Sequence, residues 1–145
     1  MSDARLVAIF SKRAHGGPMD GRQTGTLETA KGLVGSADYG GVRQITLVSQ
    51  ERWHQLMTDV GAALGPQERR ANLILTGIDL ENTRGRTLRV GKCVLRIVGE
   101  TRPCEMMEEA ATGLQAAMRE HWGGGAYAEV LEGGPIAVGD PVAWQ

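Results

Sequence analysis

The sequence predicts a mixed α/β fold that is mainly β, with about seven to eight short strands in a closed or partly open β-barrel. Glycine supplies 21 of the 145 residues, about twice its usual share of ~7%, and without a collagen period it indicates many turns. Short apolar or alternating runs separate those turns. Only one segment has an extended helical period, and the length fits a single domain over residues 1–145.

The N-terminal third of the chain predicts strands joined by glycine-rich turns. Residues 5–11 are nearly all apolar and predict a buried first strand. His15-Gly16-Gly17-Pro18 and Asp20-Gly21 predict a loop after it. Extended structure broken by glycines is expected over residues 24–35, and a further short strand over residues 44–48.

One long helix is predicted after Ser49, a residue type that commonly caps helix N-termini. Gly65-Pro66 predicts its C-terminal end. Apolar residues recur along this segment at the spacing of a single helix face, which indicates core packing. They are Trp53, Leu56, Met57, Val60 and Leu64.

The second half of the chain predicts more short strands and one or two short helices. The helices are expected over residues 105–111 and 114–121, and Gly133-Gly134 is expected to form a hairpin turn. Cys93 lies on the apolar side of an alternating run, which indicates a buried structural thiol. The predicted strands cover residues 72–76, 87–90, 93–98, 126–131, 136–138 and 142–144.

Charge and hydropathy argue against several classes of protein. Sixteen Lys and Arg against 17 Asp and Glu give a net charge of −1, whereas duplex-binding domains normally carry a basic excess. No apolar run approaches the ~20 residues of a membrane span, and the apolar stretch at residues 6–10 is shorter than a secretory signal requires. We therefore expect a cytoplasmic protein that binds neither nucleic acid nor membranes.

Cys104 is the candidate reactive residue, because it follows Arg102-Pro103 in a predicted loop. A neighbouring arginine stabilises a thiolate, a setting typical of reactive or metal-binding cysteines. Glu105 and Glu108 oppose that effect, so an unreactive loop cysteine is an equally open interpretation. Cys93 and Cys104 together match neither a disulfide framework nor a zinc pattern.

A basic cluster is the second candidate feature. Arg69, Arg70 and Asn72 lie close together in sequence, and Arg84, Arg86 and Arg89 follow. The planar guanidinium group suits phosphate. The alternative is a solvated face balanced by acidic neighbours.

Four segments in a fixed order carry a family resemblance: Arg69-Arg70-Ala71-Asn72-Leu73, Gly77-Ile78-Asp79-Leu80, residues 85–91, and Arg102-Pro103-Cys104. Upstream of them are Gly32-Leu33-Val34-Gly35 and Asp38, and downstream are residues 128–134 and 138–142. In this order they resemble the MOSC domain (molybdenum cofactor sulfurase C-terminal domain) over nearly the whole chain.

The resemblance implies a barrel rich in β-strands that binds the molybdenum cofactor (molybdopterin), with Cys104 as metal ligand and catalytic residue. It also implies that the cofactor is bound by Arg69, Arg70, Asn72, Arg102, Asp38, Tyr39 and Gly40. Many family members carry a histidine where Tyr39 stands. Pyridoxal phosphate is the less favoured cofactor, because no lysine stands out as a Schiff-base residue.

The function that the resemblance implies is the reduction of N-hydroxylated small molecules. Because the chain comprises little beyond the MOSC core, electrons would come from a separate donor protein. One alternative is a sulfur carrier, with a Cys104 persulfide loaded by a separate cysteine desulfurase protein. Another is a non-catalytic module whose basic cluster binds a phosphate-bearing ligand or partner.

Overall fold

Strands dominate the computed structural model, which describes residues 4–14, 17–41, 43–103 and 105–145. The helices are α1 (Gln50–Val60), α2 (Glu105–Ala110) and α3 (Leu114–Met118), with a short 3-10 helix at Pro66–Arg69. The predicted mixed, mainly β class is confirmed, with more strands than expected. In chain order the described strands are β1 (Arg5–Lys12), β2 (Met19–Arg22), β3 (Thr24–Glu28), β4 (Gly32–Leu33), β5 (Ile45–Ser49), β6 (Leu73–Thr76), β7 (Thr87–Val90), β8 (Cys93–Glu100), β9 (Ala126–Glu132), β10 (Gly134–Ala137) and β11 (Val142–Trp144).

The strands form two sheets. The larger has eight strands in the order β11-β7-β8-β9-β5-β6-β1-β2, and the smaller has the order β10-β3-β4. Strands β5 and β6 pair in parallel, and their neighbours in the larger sheet pair antiparallel. Parallel neighbours need a long crossover connection, and α1 with the 3-10 helix supplies it.

No closed barrel is found among the described strands, so the barrel prediction holds only as a mainly β fold with a large sheet. Strand β1 pairs with β6 along one part of its length and with β2 along another. Its N-terminal end meets the segment before β11, where Leu6 N–H donates to Asp140 O at 2.9 Å and Arg5 bridges Pro141. This contact is an isolated bridge, so no continuous ladder joins β11 to β2.

Helix α1 begins as predicted but ends earlier. The Ser49 hydroxyl accepts the Arg52 N–H at 3.3 Å and caps the N-terminus. The helix ends at Val60 because Gly61 adopts a left-handed φ of 71° and donates its N–H to the last carbonyls, so the predicted end at Gly65-Pro66 is wrong. Leu64 still packs with the helices, and its carbonyl accepts the Trp53 indole N–H at 2.9 Å.

Two turn predictions are wrong. Asp20-Gly21 lies within β2, opposite Phe10 and Ser11 of β1; His15 and Gly16 of the same predicted loop lie outside the described residues. Gly133-Gly134 does not form a hairpin, because β10 pairs with β3 in the smaller sheet while β9 remains in the larger one. The 133–134 connection therefore carries the chain from one sheet to the other.

Among the described residues, buried apolar side chains form three groups. The largest contains residues from both sheets and includes Leu6, Leu47 and Leu95. The second joins the three helices through Trp53 and Met57, as predicted, with Met107, Leu114 and Met118. Helix α2 packs beside the 3-10 helix, and the loop before α2 and the C-terminal end of the 3-10 helix line the same cavity.

Candidate functional site

A cavity of about 690 Å³ lies where several of the predicted site residues converge. Its lining comes from the end of β1, residues 37–41 and 43, the start of β5, residues 69–71, the loop before α2, α2 itself, and Gly124. These segments are far apart in sequence. They meet because β1, β6 and β5 are adjacent in the sheet and the helices pack over one end of it.

The described lining of this cavity is strongly positive, and we call it the cationic cavity. Five cationic side chains contribute to it: Lys12, Arg43, Arg69, Arg70 and Arg102. Asp38 is the carboxylate among the described lining residues, and it pairs with Lys12 at 2.8 Å. An excess of positive charge in a concave site favours an anionic ligand.

The backbone explains how two successive arginines reach the same space. Arg69 ends the 3-10 helix, and Arg70 adopts a left-handed φ of 66° and donates its N–H to the Gln67 carbonyl. Arg69 is 8% exposed, and its Nε donates to the Gly124 carbonyl at 2.7 Å. The change of backbone conformation between the two residues brings both guanidinium groups to the cationic cavity.

Two buried donor groups in the lining have no hydrogen-bond partner among the described residues. They are the Thr101 hydroxyl, on a residue that is 5% exposed, and Nη2 of Arg70. A buried donor left without an acceptor costs about 1–3 kcal/mol. The cationic cavity therefore fits a ligand that accepts hydrogen bonds, such as a phosphate oxygen.

Asn72 lies beneath the cationic cavity and is not part of its described lining. It is 1% exposed, and its Oδ1 accepts the Thr46 N–H at 3.0 Å and the Thr46 hydroxyl at 3.1 Å. Its Nδ2 donates to the Phe10 carbonyl at 3.1 Å. The structure thus gives Asn72 the position of a support that joins β1, β5 and the start of β6.

Asp38, Tyr39 and Gly40 line the rim, where the resemblance led us to expect them. Tyr39 is 40% exposed, and its hydroxyl donates to the Glu28 carboxylate. This hydrogen bond, together with burial and the charge of Glu28, raises the pKa of the Tyr39 phenol. Tyr39 is therefore a neutral donor at physiological pH.

The two cysteines have different positions. Cys104 lies outside the described residues, but Thr101 and Arg102 before it and Met106 and Met107 after it line the cationic cavity. Cys93 is fully buried on β8, as predicted, and burial, with a smaller effect of Asp140, raises the pKa of its thiol. Within the described ranges, no group of three His, Cys, Asp or Glu side chains could hold a metal ion.

The second group of arginines lies elsewhere. Arg84 donates to the Val98 carbonyl at 3.1 Å, the Arg86 guanidinium lies 4.3 Å from the centre of the Trp144 ring, and Arg89 is exposed on β7. None of the three belongs to the described lining. The arginines at 69 and 70 therefore lie at the cavity, whereas the second group lies on the surface of the protein.

Sequence reasoning did not identify Lys12, Arg43, Thr46, Thr101, Met106 or Met107 as cavity residues. Lys12 had a usable signal, since it is a cation that closely follows the apolar run of β1. The three successive glycines at 123–125 are predicted to border the ligand cleft, and Gly124 lies in its lining. The described helices include none long and apolar enough to cross a membrane.

Comparisons with known proteins give a family and a fold. The MOSC domain family matches residues 11–143, and no curated protein sequence matches the chain. YuaD of Bacillus subtilis superposes with a TM-score of 0.78 at 19% identity, covering 98% of this chain and 97% of that protein.

Two YiiM structures are also similar. YiiM of Geobacillus stearothermophilus has a TM-score of 0.75 at 15% identity, covering 98% of this chain and 75% of YiiM. YiiM of Escherichia coli has a TM-score of 0.72 at 17% identity, covering 97% and 69%. At these identities the likeness shows a shared fold.

Proposed function

Because the chain belongs to the MOSC domain family, we propose that its cationic cavity binds the molybdenum cofactor through the phosphate of that group, with Cys104 as the metal ligand. One observation carries the proposal: among the described residues, five cationic side chains and one already paired carboxylate line the cavity. The buried donors of Thr101 and Arg70 add hydrogen-bonding groups suited to phosphate oxygens.

The chain's own residues would hold and shield the cofactor. Arg69 and Arg70 would bind the phosphate through their guanidinium groups, and the Thr101 hydroxyl would donate to one of its oxygens. Arg102 would stabilise the Cys104 thiolate. When bound, the cofactor supplies two-electron redox chemistry at a metal that a soft thiolate suits.

The proposed reaction is the reduction of an N-hydroxylated small molecule to the corresponding amine. The N–O bond breaks, two electrons and two protons are consumed, and water is released. The electrons come from a separate donor protein. Met106 and Tyr39, both exposed at the rim, would contact the organic part of the substrate through apolar surface.

The test is the content of molybdenum and of oxidised pterin in protein purified from a host that makes the cofactor. We expect both in the wild type and in Arg89→Ala, an exposed arginine outside the cavity lining. Arg70→Ala should lose most of both, and Cys104→Ala should lose molybdenum more completely than pterin. Background levels in the wild type would refute cofactor binding.

The sulfur carrier is the second candidate, because Arg102 lies in the cavity lining two residues before Cys104 and would stabilise an anionic persulfide. In that step the Cys104 thiolate attacks the outer sulfur of a desulfurase persulfide, takes that sulfur, and releases the desulfurase thiolate. Mass spectrometry would show a gain of about 32 Da that Cys104→Ala abolishes. Phosphate-ligand binding without metal or persulfide would instead indicate a binding module.

A further inference from the structure

We infer that Gly124 is a positioning residue of the cationic cavity, because it contacts two of its walls at once. Its carbonyl oxygen binds the Arg69 guanidinium, and its α-carbon lies against the Thr101 carbonyl. The expected effect of Gly124 on phosphate affinity rests on the proposed function. Its effect on the orientation of Arg69 does not, because the contact between the two residues is present without any ligand.

The first contact orients Arg69. The Arg69 side chain is 8% exposed, and its Nε lies 2.7 Å from the Gly124 carbonyl oxygen. This hydrogen bond restrains the direction in which the planar guanidinium group points. Gly124 therefore orients the cation that, in the proposed function, binds the phosphate.

The second contact explains why this residue is glycine. A Cβ atom built on Gly124 would lie 2.2 Å from the Thr101 carbonyl oxygen and 3.4 Å from Nη2 of Arg69. The first distance is far below van der Waals contact, and the obstacle is backbone, which cannot rotate away. The next residue adds a tie, because the Gly125 carbonyl accepts the Thr101 N–H at 3.0 Å.

These contacts link Arg69 to the loop that leads to Cys104. A side chain at position 124 must push the Thr101 backbone away or displace its own carbonyl from Arg69. Either movement changes the spacing between Arg69 and the pair Thr101-Arg102, which line the same cavity. Gly124 thus sets the spacing between Arg69 and the Thr101-Arg102 segment through its main-chain atoms alone.

The test that needs no ligand uses the Nε–H signals of the arginines in ¹⁵N NMR spectra, with Arg69→Lys to assign Arg69. We expect the Arg69 Nε–H of the wild type to exchange with solvent much more slowly than that of exposed Arg89. Gly124→Ala should accelerate this exchange. Gly21→Ala is the control, because a Cβ there makes only ordinary contact with Phe10.

Equal exchange rates for Arg69 and Arg89 in the wild type would overturn the inference, even if Gly124→Ala failed to fold. Unchanged Arg69 exchange in folded Gly124→Ala would also overturn it.

Inorganic phosphate then tests the consequence for binding. In the wild-type background, Gly124→Ala should weaken phosphate binding about ten-fold. In the Arg69→Ala background it should have little further effect, because both changes remove the same interaction between Arg69 and phosphate. Equal losses in the two backgrounds would indicate a merely structural glycine and overturn the inference. Slow Arg69 exchange in a wild type that binds no phosphate would support the positioning role and contradict the proposed phosphate site.

Discussion

Lys12 and Asp38 form an ion pair in the lining of the cationic cavity, with Nζ and Oδ2 2.8 Å apart and both side chains mostly buried. We predict that Asp38→Asn tightens the binding of inorganic phosphate several-fold, because it removes the carboxylate that offsets the lysine. Stability should fall by about 1–2 kcal/mol for a partly buried pair. Calorimetric titration and urea unfolding measure the two effects.

The control is Asp20→Asn, which breaks an exposed pair with Arg13 outside the cavity lining. It should leave phosphate affinity unchanged. Weaker phosphate binding in Asp38→Asn would show that Asp38 itself supports the ligand.

Asn72→Ala should be strongly destabilising. The substitution leaves the buried Thr46 N–H and the Phe10 carbonyl without the side chain that bonds them, for a loss of about 2–4 kcal/mol. Urea unfolding compares it with Gln55→Ala, an exposed change on α1 that should stay within about 0.5 kcal/mol of the wild type. Full stability combined with lost phosphate binding would instead make Asn72 a ligand contact.

Glu51 should make stability depend on pH in the acid range. Burial raises the pKa of this carboxyl, but the hydrogen bonds from the Gly77 N–H and the Thr76 hydroxyl, together with smaller effects, outweigh it, so the pKa lies below its usual value. A folded-state pKa that is lowered gives stability that is present above about 4.3, the usual pKa, and is lost as pH falls through the folded value.

Unfolding in urea at pH 7 and pH 3 tests this, with Glu51→Gln as the variant. The wild type should be more stable than Glu51→Gln at pH 7, and the difference should shrink at pH 3. Glu109→Gln, an exposed change on α2, reports the general effect of removing a negative charge. A difference that is constant with pH would contradict the role of the Glu51 hydrogen bonds.

Periodicity predicted those parts of the fold that local sequence determines. The face of α1 and its Ser49 cap follow from residues within two turns of each other, and the alternation around Cys93 follows from the pleat of β8. The end of α1 was misplaced because Gly65-Pro66 is a strong breaker, whereas Gly61 acts through a left-handed conformation that composition does not reveal.

Pairing between distant strands was beyond the reach of local pattern. Strands β9 and β10 lie in different sheets because β10 pairs with β3, which is about a hundred residues earlier in the chain. The dipeptide Gly133-Gly134 is typical of a hairpin turn and does not reveal this distant pairing. The same limit applied to the site. Sequence patterns identified Arg69, Arg70, Arg102 and the glycines at 123–125, but Lys12 joins them only through tertiary contacts.

The place of β9 in the larger sheet has a consequence for how the chain folds during synthesis. β9 joins a group made of β2, β1, β6 and β5 to a second group made of β8, β7 and β11. Until residues 126–132 have left the ribosome, β5 and β8 each present an unpaired edge, and such edges invite aggregation. A nascent chain that stalls before residue 126 would therefore depend on chaperones far more than the finished protein.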